Sequence, residues 1–197
     1  MNAVILASKS ITRMQLLTNA GLVFEACGSG VDEDAEKILL LKAGATPLHV
    51  ARALAEAKAL AVSSRRPGKI IGADQTLEFE GRLFDKVGST EAATERLLMM
   101  RGAEHVLHTA AVVAESGTII WRGEESPRLS MRKFTDAFLN AYMARNGDKV
   151  LSSVGCYQIE GEGLQLFEKI DGDYFSILGL PLLPMMAFLR SVGVISE

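Results

Sequence analysis

The stretch Val4-Ile5-Leu6-Ala7-Ser8-Lys9-Ser10, near the start of the chain, decides the fold. Its apolar half predicts one buried strand, its polar half ends that strand, and residues 12–20 predict a helix. This arrangement can hold an anion, because free N–H groups at a helix start point outward with partial positive charge. Ser8 and Ser10 would add hydroxyl donors, and Arg13 a guanidinium for phosphate oxygens. The alternative is that Ser10 only caps the helix and Arg13 is a solvated helix residue.

Composition indicates a globular protein with a sizeable core. The chain has 197 residues, of which 48% are hydrophobic and 23% charged, so we expect one domain spanning residues 1–197. A net charge of −3 without a long basic run argues against duplex nucleic acid as a partner. No apolar stretch reaches membrane-spanning length. Cys27 and Cys156 lack metal-ligand spacing, which predicts free buried thiols and a cytoplasmic protein.

Strand and helix patterns alternate along the chain, but several hairpins interrupt them. We therefore predict an α/β fold with a mixed β-sheet and flanking helices. Residues 28–34 are predicted as an acidic loop, and residues 65–68 as a break after a long helix. The predicted strands are 4–7, 24–26, 69–79, 82–84, 106–114, 118–122, 130–134 and 164–170, and the later helices are 47–63, 90–100, 135–145 and 180–192.

A carboxylate follows the apolar residues of the central strand, in Ile70-Ile71-Gly72-Ala73-Asp74-Gln75. Gly72 and Ala73 are small enough to leave room for a ligand. Asp74 could bind a hard cation or take a proton from water, or it could be a loop aspartate that makes a turn. Glu33, in the acidic loop, could be a second metal ligand or a solvated charge.

Two lysines become informative only in combination with these residues. Lys58 on the long helix and Lys86 after the hairpin are each typical of ordinary surface lysines. If they share a cleft with Arg13 and Asp74, the set suits metal-assisted phosphoryl chemistry. The chain has no Walker A lysine, no dinucleotide fingerprint and no nucleophile-elbow serine.

An ordered set of motifs along nearly the whole chain resembles the Maf family, also called septum-formation-inhibitor-like or nucleoside triphosphate pyrophosphatases. The motifs that carry the resemblance are Leu6-Ala7-Ser8-Lys9-Ser10 with Arg13, Val31-Asp32-Glu33, Ala57-Lys58-Ala59, Gly72-Ala73-Asp74-Gln75, Asp85-Lys86, Gly102 with His105 and Thr109, Ile170-Asp171-Gly172-Asp173-Tyr174, and Leu178-Gly179-Leu180-Pro181-Leu182.

The resemblance implies a fold, a reaction and roles for individual residues. It implies two lobes around a central cleft, a homodimer, and hydrolysis of a nucleoside triphosphate to the monophosphate and pyrophosphate with Mg²⁺ or Mn²⁺. Asp74 would be the catalytic proton acceptor or metal ligand, and Glu33 would help to hold the metal. The groups that grip the triphosphate would be Ser8, Arg13, Lys58 and the catalytic Lys86.

Three residues stand at positions that the resemblance links to substrate choice: Thr12, Gln75 and Glu160. Gln75 and Glu160 look like the family branch that takes 7-methyl-GTP, whereas Thr12 does not. A carboxylate at position 160 can accept from both N1–H and the N2 amino group of guanine. We therefore favour a 7-methyl-GTP-like substrate.

Two alternatives remain open at this point. One is the dTTP and UTP pyrophosphatase branch of the same family. The other is a non-catalytic nucleotide-sensing regulator of cell division.

Ile11 and Val87 also depart from the family pattern, because proline is usual at both positions.

Overall fold

The computed structural model describes residues 3–196, which form eight strands and seven α-helices. The sheet contains parallel and antiparallel pairs, so the predicted α/β class with a mixed sheet and flanking helices is confirmed. The strands are β1 (Val4–Leu6), β2 (Glu25–Ala26), β3 (Lys69–Phe79), β4 (Arg82–Phe84), β5 (Glu104–Glu115), β6 (Thr118–Glu125), β7 (Arg128–Met131) and β8 (Phe167–Asp171). The helices are α1 (Ile11–Asn19), α2 (Glu33–Lys42), α3 (Pro47–Ser63), α4 (Thr90–Met100), α5 (Asp136–Asn146), α6 (Tyr174–Ile177) and α7 (Leu182–Ser191).

The chain divides into two compact units, and strands β3 and β5 contribute residues to both. Within the described residues, the first unit contains residues 3–75, 108–126 and 173–196, and the second contains residues 76–107 and 127–172. The sequence predicted one domain over residues 1–197, of which residues 1, 2 and 197 lie outside the described part. That domain limit and the central cleft stay predictions.

In the first unit, helices cover both faces of the central strands. Strand β1 runs parallel to β2 on one side and to β3 on the other. Neighbouring side chains of β3 point to opposite faces, so Ile71 packs with Leu17 of α1 while Ile70 packs with Val62 of α3. Burial on both faces explains why Val4–Leu6 is uniformly apolar rather than alternating.

The second unit is built mainly from antiparallel pairs. Strands β3 and β4 form a hairpin whose turn residues Glu80 and Gly81 both have positive φ, 51° and 74°. The beginning of β5 pairs with β7, which pairs with β8. An aromatic cluster fills this unit, in which the buried His105 ring lies 2.7 Å from the Tyr157 hydroxyl.

Helix starts could be predicted well because capping is local. The side chains of Thr46 and Ser89 each accept a hydrogen bond from the backbone N–H three residues later, as their positions before a helical pattern predict. Thr135, which was predicted as the first residue of a helix, is instead the N-cap of α5 and accepts from the Phe138 N–H. The predicted strands 69–79 and 82–84 also match β3 and β4.

The sequence prediction misses helices α2 and α6. Residues 28–34 were predicted as a loop, but Asp32 accepts a hydrogen bond from the Ala35 N–H and begins α2 at Glu33. Acidic residues also favour a helix start through the helix dipole. The cluster of acidic residues led to the loop prediction, and no residue of α2 is fully buried. Helix α6 has only four residues.

Several strand boundaries were also predicted wrongly, and the largest differences are at β7, β8 and the end of β6, which reaches Glu125 rather than residue 122. Strand β7 covers Arg128–Met131 rather than residues 130–134. The predicted strand 164–170 begins only at Phe167, because Glu162–Leu166 forms a 3₁₀ helix. Apolar patterns alone do not distinguish such a short helical segment from an extended one.

Candidate active site

A cavity of about 240 Å³ lies in the first unit, at the end of β1. Small and polar residues line it: Ala7, Ser8, Lys9, Gly28, Ser29, Gly30, Val31, Glu33 and Lys58. It is smaller than the roughly 300–1,000 Å³ typical of sites for drug-sized ligands, so it suits part of a ligand, such as phosphate groups. Three of the predicted site residues, Ser8, Glu33 and Lys58, therefore face one space.

Asp74 is buried inside strand β3, with 8% of its surface exposed. Its Oδ1 accepts a hydrogen bond from Lys58 Nζ at 2.6 Å. The alternative that Asp74 is a loop aspartate making a turn is wrong, because β3 continues to Phe79. A carboxylate inside a buried strand needs a partner, and Lys58 supplies it.

The contact between Lys58 and Asp74 depends on close packing of helix α3 against strand β3. A Cβ at Gly72 would lie 2.7 Å from the Ala59 amide nitrogen and even closer to the Ala55 carbonyl oxygen. Gly72 is therefore required for contact between helix and strand. The sequence analysis expected that the small size of Gly72 leaves room for a ligand. The structure shows that it leaves room for helix α3 instead.

Glu33 reaches the same ammonium from the first turn of helix α2. Its Oε2 lies 2.7 Å from Lys58 Nζ, and 45% of its side chain is exposed, against 11% for Asp74. Lys58 itself has 5% of its side chain exposed. Two carboxylates from different elements thus converge on one buried cation.

Burial and charge oppose each other at this site. Burial raises the pKa of Asp74 above its ordinary value, and the positive charges of Lys58 and Arg13 only partly offset this effect. Burial lowers the pKa of Arg13, with Asp74 and Glu33 acting in the opposite direction. A carboxylate with a raised pKa is a better proton acceptor than an ordinary aspartate.

Arg13 cross-links three parts of the first unit. Its Nε donates to the Gly179 carbonyl at 2.9 Å, and its Nη1 donates to the Ala73 carbonyl at 3.1 Å and to Ser8 Oγ at 3.5 Å. Ser10 is the N-cap of α1 and accepts from the Arg13 N–H. The interpretation of Ser10 as a cap is therefore confirmed, whereas Arg13 is more than a solvated helix residue.

Gln75, the residue after Asp74, uses its amide group within the first unit. Its Nε2 is 2.7 Å from Thr109 Oγ1, 2.9 Å from the Ser176 carbonyl and 3.1 Å from the Ile177 carbonyl. The Thr109 hydroxyl also donates to the Ser176 carbonyl, at 2.7 Å. Gln75 thus attaches helix α6 to strands β3 and β5, and any contact with a base would use its Oε1.

The remaining predicted site residues are partly or fully exposed. Thr12 is half-buried in the first turn of α1. Lys86 and Glu160 belong to the second unit, where Lys86 follows β4 and Glu160 precedes the 3₁₀ helix Glu162–Leu166; both are exposed. Their roles in phosphate binding and base choice stay predictions.

Arg65 is a residue that sequence reasoning missed. It was seen only as part of the break after the long helix. Its Nη2 donates to the carbonyls of Gly28 and Ser29, at 3.1 and 2.7 Å, and thereby holds the loop that lines the cavity and leads to Glu33. Partners so distant in sequence leave no local pattern.

The chemistry of the donors fits a hard divalent cation. Within residues 3–196, no group of three or more His, Cys, Asp or Glu side chains could hold a metal. Mg²⁺ is nevertheless often held by one or two carboxylates together with substrate phosphates. Glu33 and Asp74 form such a pair, because both already contact one cationic atom, Lys58 Nζ.

The cysteines and the lengths of the helices were also predicted from the sequence. Cys27 and Cys156 are both free thiols, but only Cys156 is fully buried. None of the helices within residues 3–196 is long and apolar enough to cross a membrane.

Comparisons with known proteins agree with the motifs. A family model described as "Maf-like protein" matches residues 3–192. A nucleoside triphosphate pyrophosphatase of Caulobacter vibrioides is 55% identical over 193 residues, which are 98% of this chain and 97% of the relative. Proteins named 7-methyl-GTP pyrophosphatase are 49% identical in Brucella abortus, over 94% of both chains, and 48% identical in Mesorhizobium japonicum, over 98% of this chain and 97% of the relative.

Proposed function

This chain belongs to the Maf family, and from that premise we propose that it hydrolyses a nucleoside triphosphate to the monophosphate and pyrophosphate. The observation that carries the proposal is the contact of the buried Lys58 with Asp74 and Glu33 beside the cavity. Relatives at 44–55% identity are named nucleoside triphosphate pyrophosphatase or 7-methyl-GTP pyrophosphatase, which are hydrolases of acid anhydrides.

Each group at the site has a role in such a reaction. Hydrolysis adds one water molecule across the α–β phosphoanhydride, and a proton of that water needs an acceptor. Asp74 suits this role because burial raises its pKa. Its other possible role is to hold a metal ion together with Glu33.

The cations would bind the negative triphosphate. Lys58 lines the cavity, and Arg13 donates to Ser8 at the cavity wall. We assign Lys86 to the same chemistry on the strength of the family motif. Charge-assisted contacts of this kind are each worth about 1.5–3 kcal/mol.

We propose Mg²⁺ or Mn²⁺ as the cofactor, held by Glu33 and Asp74. When bound, a divalent cation supplies positive charge that stabilises the phosphate oxygens during hydrolysis. The support is the donor set, since two carboxylate oxygens that converge on one point suit a hard cation.

For the base, we propose a 7-methyl-GTP-like substrate. Two lines support this choice: the names of the Brucella and Mesorhizobium relatives, and the carboxylate of Glu160, which matches the two donors of guanine. The rival substrates are dTTP and UTP, whose bases present an acceptor–donor–acceptor edge that suits a carboxamide better.

We also propose that the protein works as a homodimer in the cytoplasm. The family resemblance supports the dimer, and the two free thiols fit a reducing compartment. Light scattering coupled to size-exclusion chromatography would give a mass twice that of the chain; a monomer mass would contradict the proposal.

A substrate panel tests the proposed function. Pyrophosphate release should be measured from 7-methyl-GTP, GTP, UTP and dTTP, each with Mg²⁺ and with Mn²⁺. We expect metal-dependent release, with the highest kcat/KM for 7-methyl-GTP. Nucleotide binding without release would instead indicate a sensor, and a preference for UTP and dTTP would overturn the substrate assignment.

A further inference from the structure

Lys58 is already the cation of the carboxylate pair. Its Nζ lies 2.6 Å from Asp74 Oδ1 and 2.7 Å from Glu33 Oε2, and 5% of its side chain is exposed. Of the three N–H donors of the ammonium group, one donates to Asp74, and Glu33 forms an ion pair with the same nitrogen. Lys58 therefore makes its two ion pairs with the same residues that would hold a divalent cation.

Glu33 and Asp74 cannot bind a divalent metal ion and keep their present ion pairs with Lys58 at the same time. Mg²⁺ binds oxygen at about 2.0–2.1 Å and demands close geometry. A divalent ion in contact with Glu33 and Asp74 would also lie beside the positive charge of Lys58 Nζ and repel it. Binding of the metal and the present position of Lys58 thus oppose each other.

Lys58 lines the cavity on a flexible side chain, whereas Arg13 is held by backbone carbonyls. The lysine side chain is flexible and lines the cavity, where phosphate oxygens would be its natural acceptors. The guanidinium of Arg13 is held by the carbonyls of Ala73 and Gly179. Of these two cations, Lys58 is the one that contacts both carboxylates and also lines the cavity where phosphates would bind.

We propose that Lys58 is a built-in counter-ion that competes with the divalent cation for Glu33 and Asp74 and is drawn away by the triphosphate. This inference rests on the proposed function for the identity of the ligands. Triphosphate binding would release the carboxylates for the metal, so nucleotide and metal would each strengthen binding of the other, as thermodynamic linkage requires. Lys58 would then couple loading of the metal to loading of the substrate.

The direct test is titration of the protein with Mn²⁺ alone, without nucleotide, at pH 8.5. Free Mn²⁺ is measured by electron paramagnetic resonance. Lys58→Met should bind Mn²⁺ about tenfold to hundredfold tighter than wild type, the factor that one charge-assisted hydrogen bond is worth. Lys9→Met is the matched control, because Lys9 lines the same cavity and is exposed. It should stay within about threefold of wild type, as expected for a partly screened charge.

Other outcomes of this titration overturn the inference. The inference is wrong if Lys58→Met binds Mn²⁺ no tighter than wild type, or if Lys9→Met increases the Mn²⁺ affinity equally. It is also wrong if neither wild type nor Lys58→Met binds Mn²⁺. None of these measurements needs hydrolysis. If the protein releases pyrophosphate but Lys58→Met does not bind Mn²⁺ more tightly, only the inference about Lys58 is wrong. If Lys58→Met binds Mn²⁺ more tightly but the wild-type protein releases no pyrophosphate, the proposed function is wrong.

A measurement on the wild-type protein covers the case in which Lys58→Met does not fold. The protein is labelled with ¹³C at the lysine ε-carbons, and the Lys58 signal is assigned with Lys58→Arg. Saturation with Mg²⁺ alone should shift the Lys58 signal and leave the Lys9 signal nearly unchanged. Binding of Mg²⁺, measured by calorimetry, with a stationary Lys58 signal would refute the competition.

Discussion

Asp74→Asn should abolish hydrolysis without weakening the fold. Asparagine keeps the shape of the side chain but cannot accept a proton from water and is a much poorer metal ligand. Loss of a general base or of a metal-ligand charge typically lowers the rate on the order of 10²-fold or more, which is about 2.7 kcal/mol of transition-state stabilisation. The first expected result is therefore a kcat at least about 100-fold below wild type.

The expected effect on stability follows from the direction of the Asp74 pKa shift. Burial raises the pKa of Asp74 above its ordinary value of 3.8, despite the contact with Lys58. The folded state therefore binds this proton more tightly than the unfolded state. The stability that Asp74 contributes is complete below pH 3.8 and is lost as the pH rises through its folded pKa. Above that folded pKa the ionised carboxylate destabilises the fold relative to its protonated form, which asparagine resembles in charge.

The substitution also removes one of the two ion-pair partners of Lys58. Removing one partner of a buried pair can cost about 3–5 kcal/mol when the other charge is left alone. Here Lys58 keeps Glu33 at 2.7 Å, so its charge stays paired. We therefore expect the free energy of unfolding of Asp74→Asn at pH 8 to lie no more than about 1 kcal/mol below that of wild type.

The assay combines pyrophosphate release with urea unfolding at pH 8. The matched control is Asp34→Asn, because Asp34 follows Glu33 directly and 92% of its side chain is exposed. It should keep both activity and stability near wild type. Turnover by Asp74→Asn within a few-fold of wild type would remove Asp74 from the mechanism, and a stability loss above about 3 kcal/mol would refute the account of its charge.

Four further outcomes are expected. Arg13→Ala and Lys86→Ala should each lower kcat/KM about tenfold to hundredfold on every triphosphate, and Arg13→Ala should also lower the melting temperature, since it removes hydrogen bonds within the first unit. A change in base preference without a general loss would refute the phosphate assignment. Glu160→Gln should lower kcat/KM for guanine-type substrates about tenfold to hundredfold more than for UTP or dTTP; equal losses would mean a structural role. Arg65→Ala should speed hydrogen exchange of the amides in residues 28–31, an effect that Arg65→Lys should partly reverse; unchanged exchange would contradict its role in holding the loop. Burial lowers the pKa of His105 from 6.5 to about 4, so wild type should lose up to about 3 kcal/mol of stability as the pH falls from 6.5 to 4, and His105→Gln should lose less over the same range.

Local patterns made several features of the fold predictable. Thr46 and Ser89 cap their helices through hydrogen bonds that span three residues, and the hairpin turn at Glu80 and Gly81 is equally short in sequence. Helix α2 was missed although Asp32 caps it in the same local way, because its acidic residues were interpreted as part of a loop.

The candidate site was predictable as a set of residue types but not as a set of contacts. Asp74, Glu33 and Lys58 were all expected near phosphates or metal, yet their mutual ion pairs join β3, α2 and α3 across long stretches of chain. The roles of Gly72 and Arg65 likewise depend on partners that are distant in sequence. No spacing rule in a single sequence identifies such partners.

The products of the reaction provide the most direct test of the central claim. Purified protein should be incubated with 7-methyl-GTP and Mg²⁺, and the products followed by ³¹P nuclear magnetic resonance. The account predicts equal amounts of nucleoside monophosphate and pyrophosphate, with no orthophosphate. Nucleoside diphosphate with orthophosphate, or unchanged triphosphate across the whole panel of nucleotides, would contradict it.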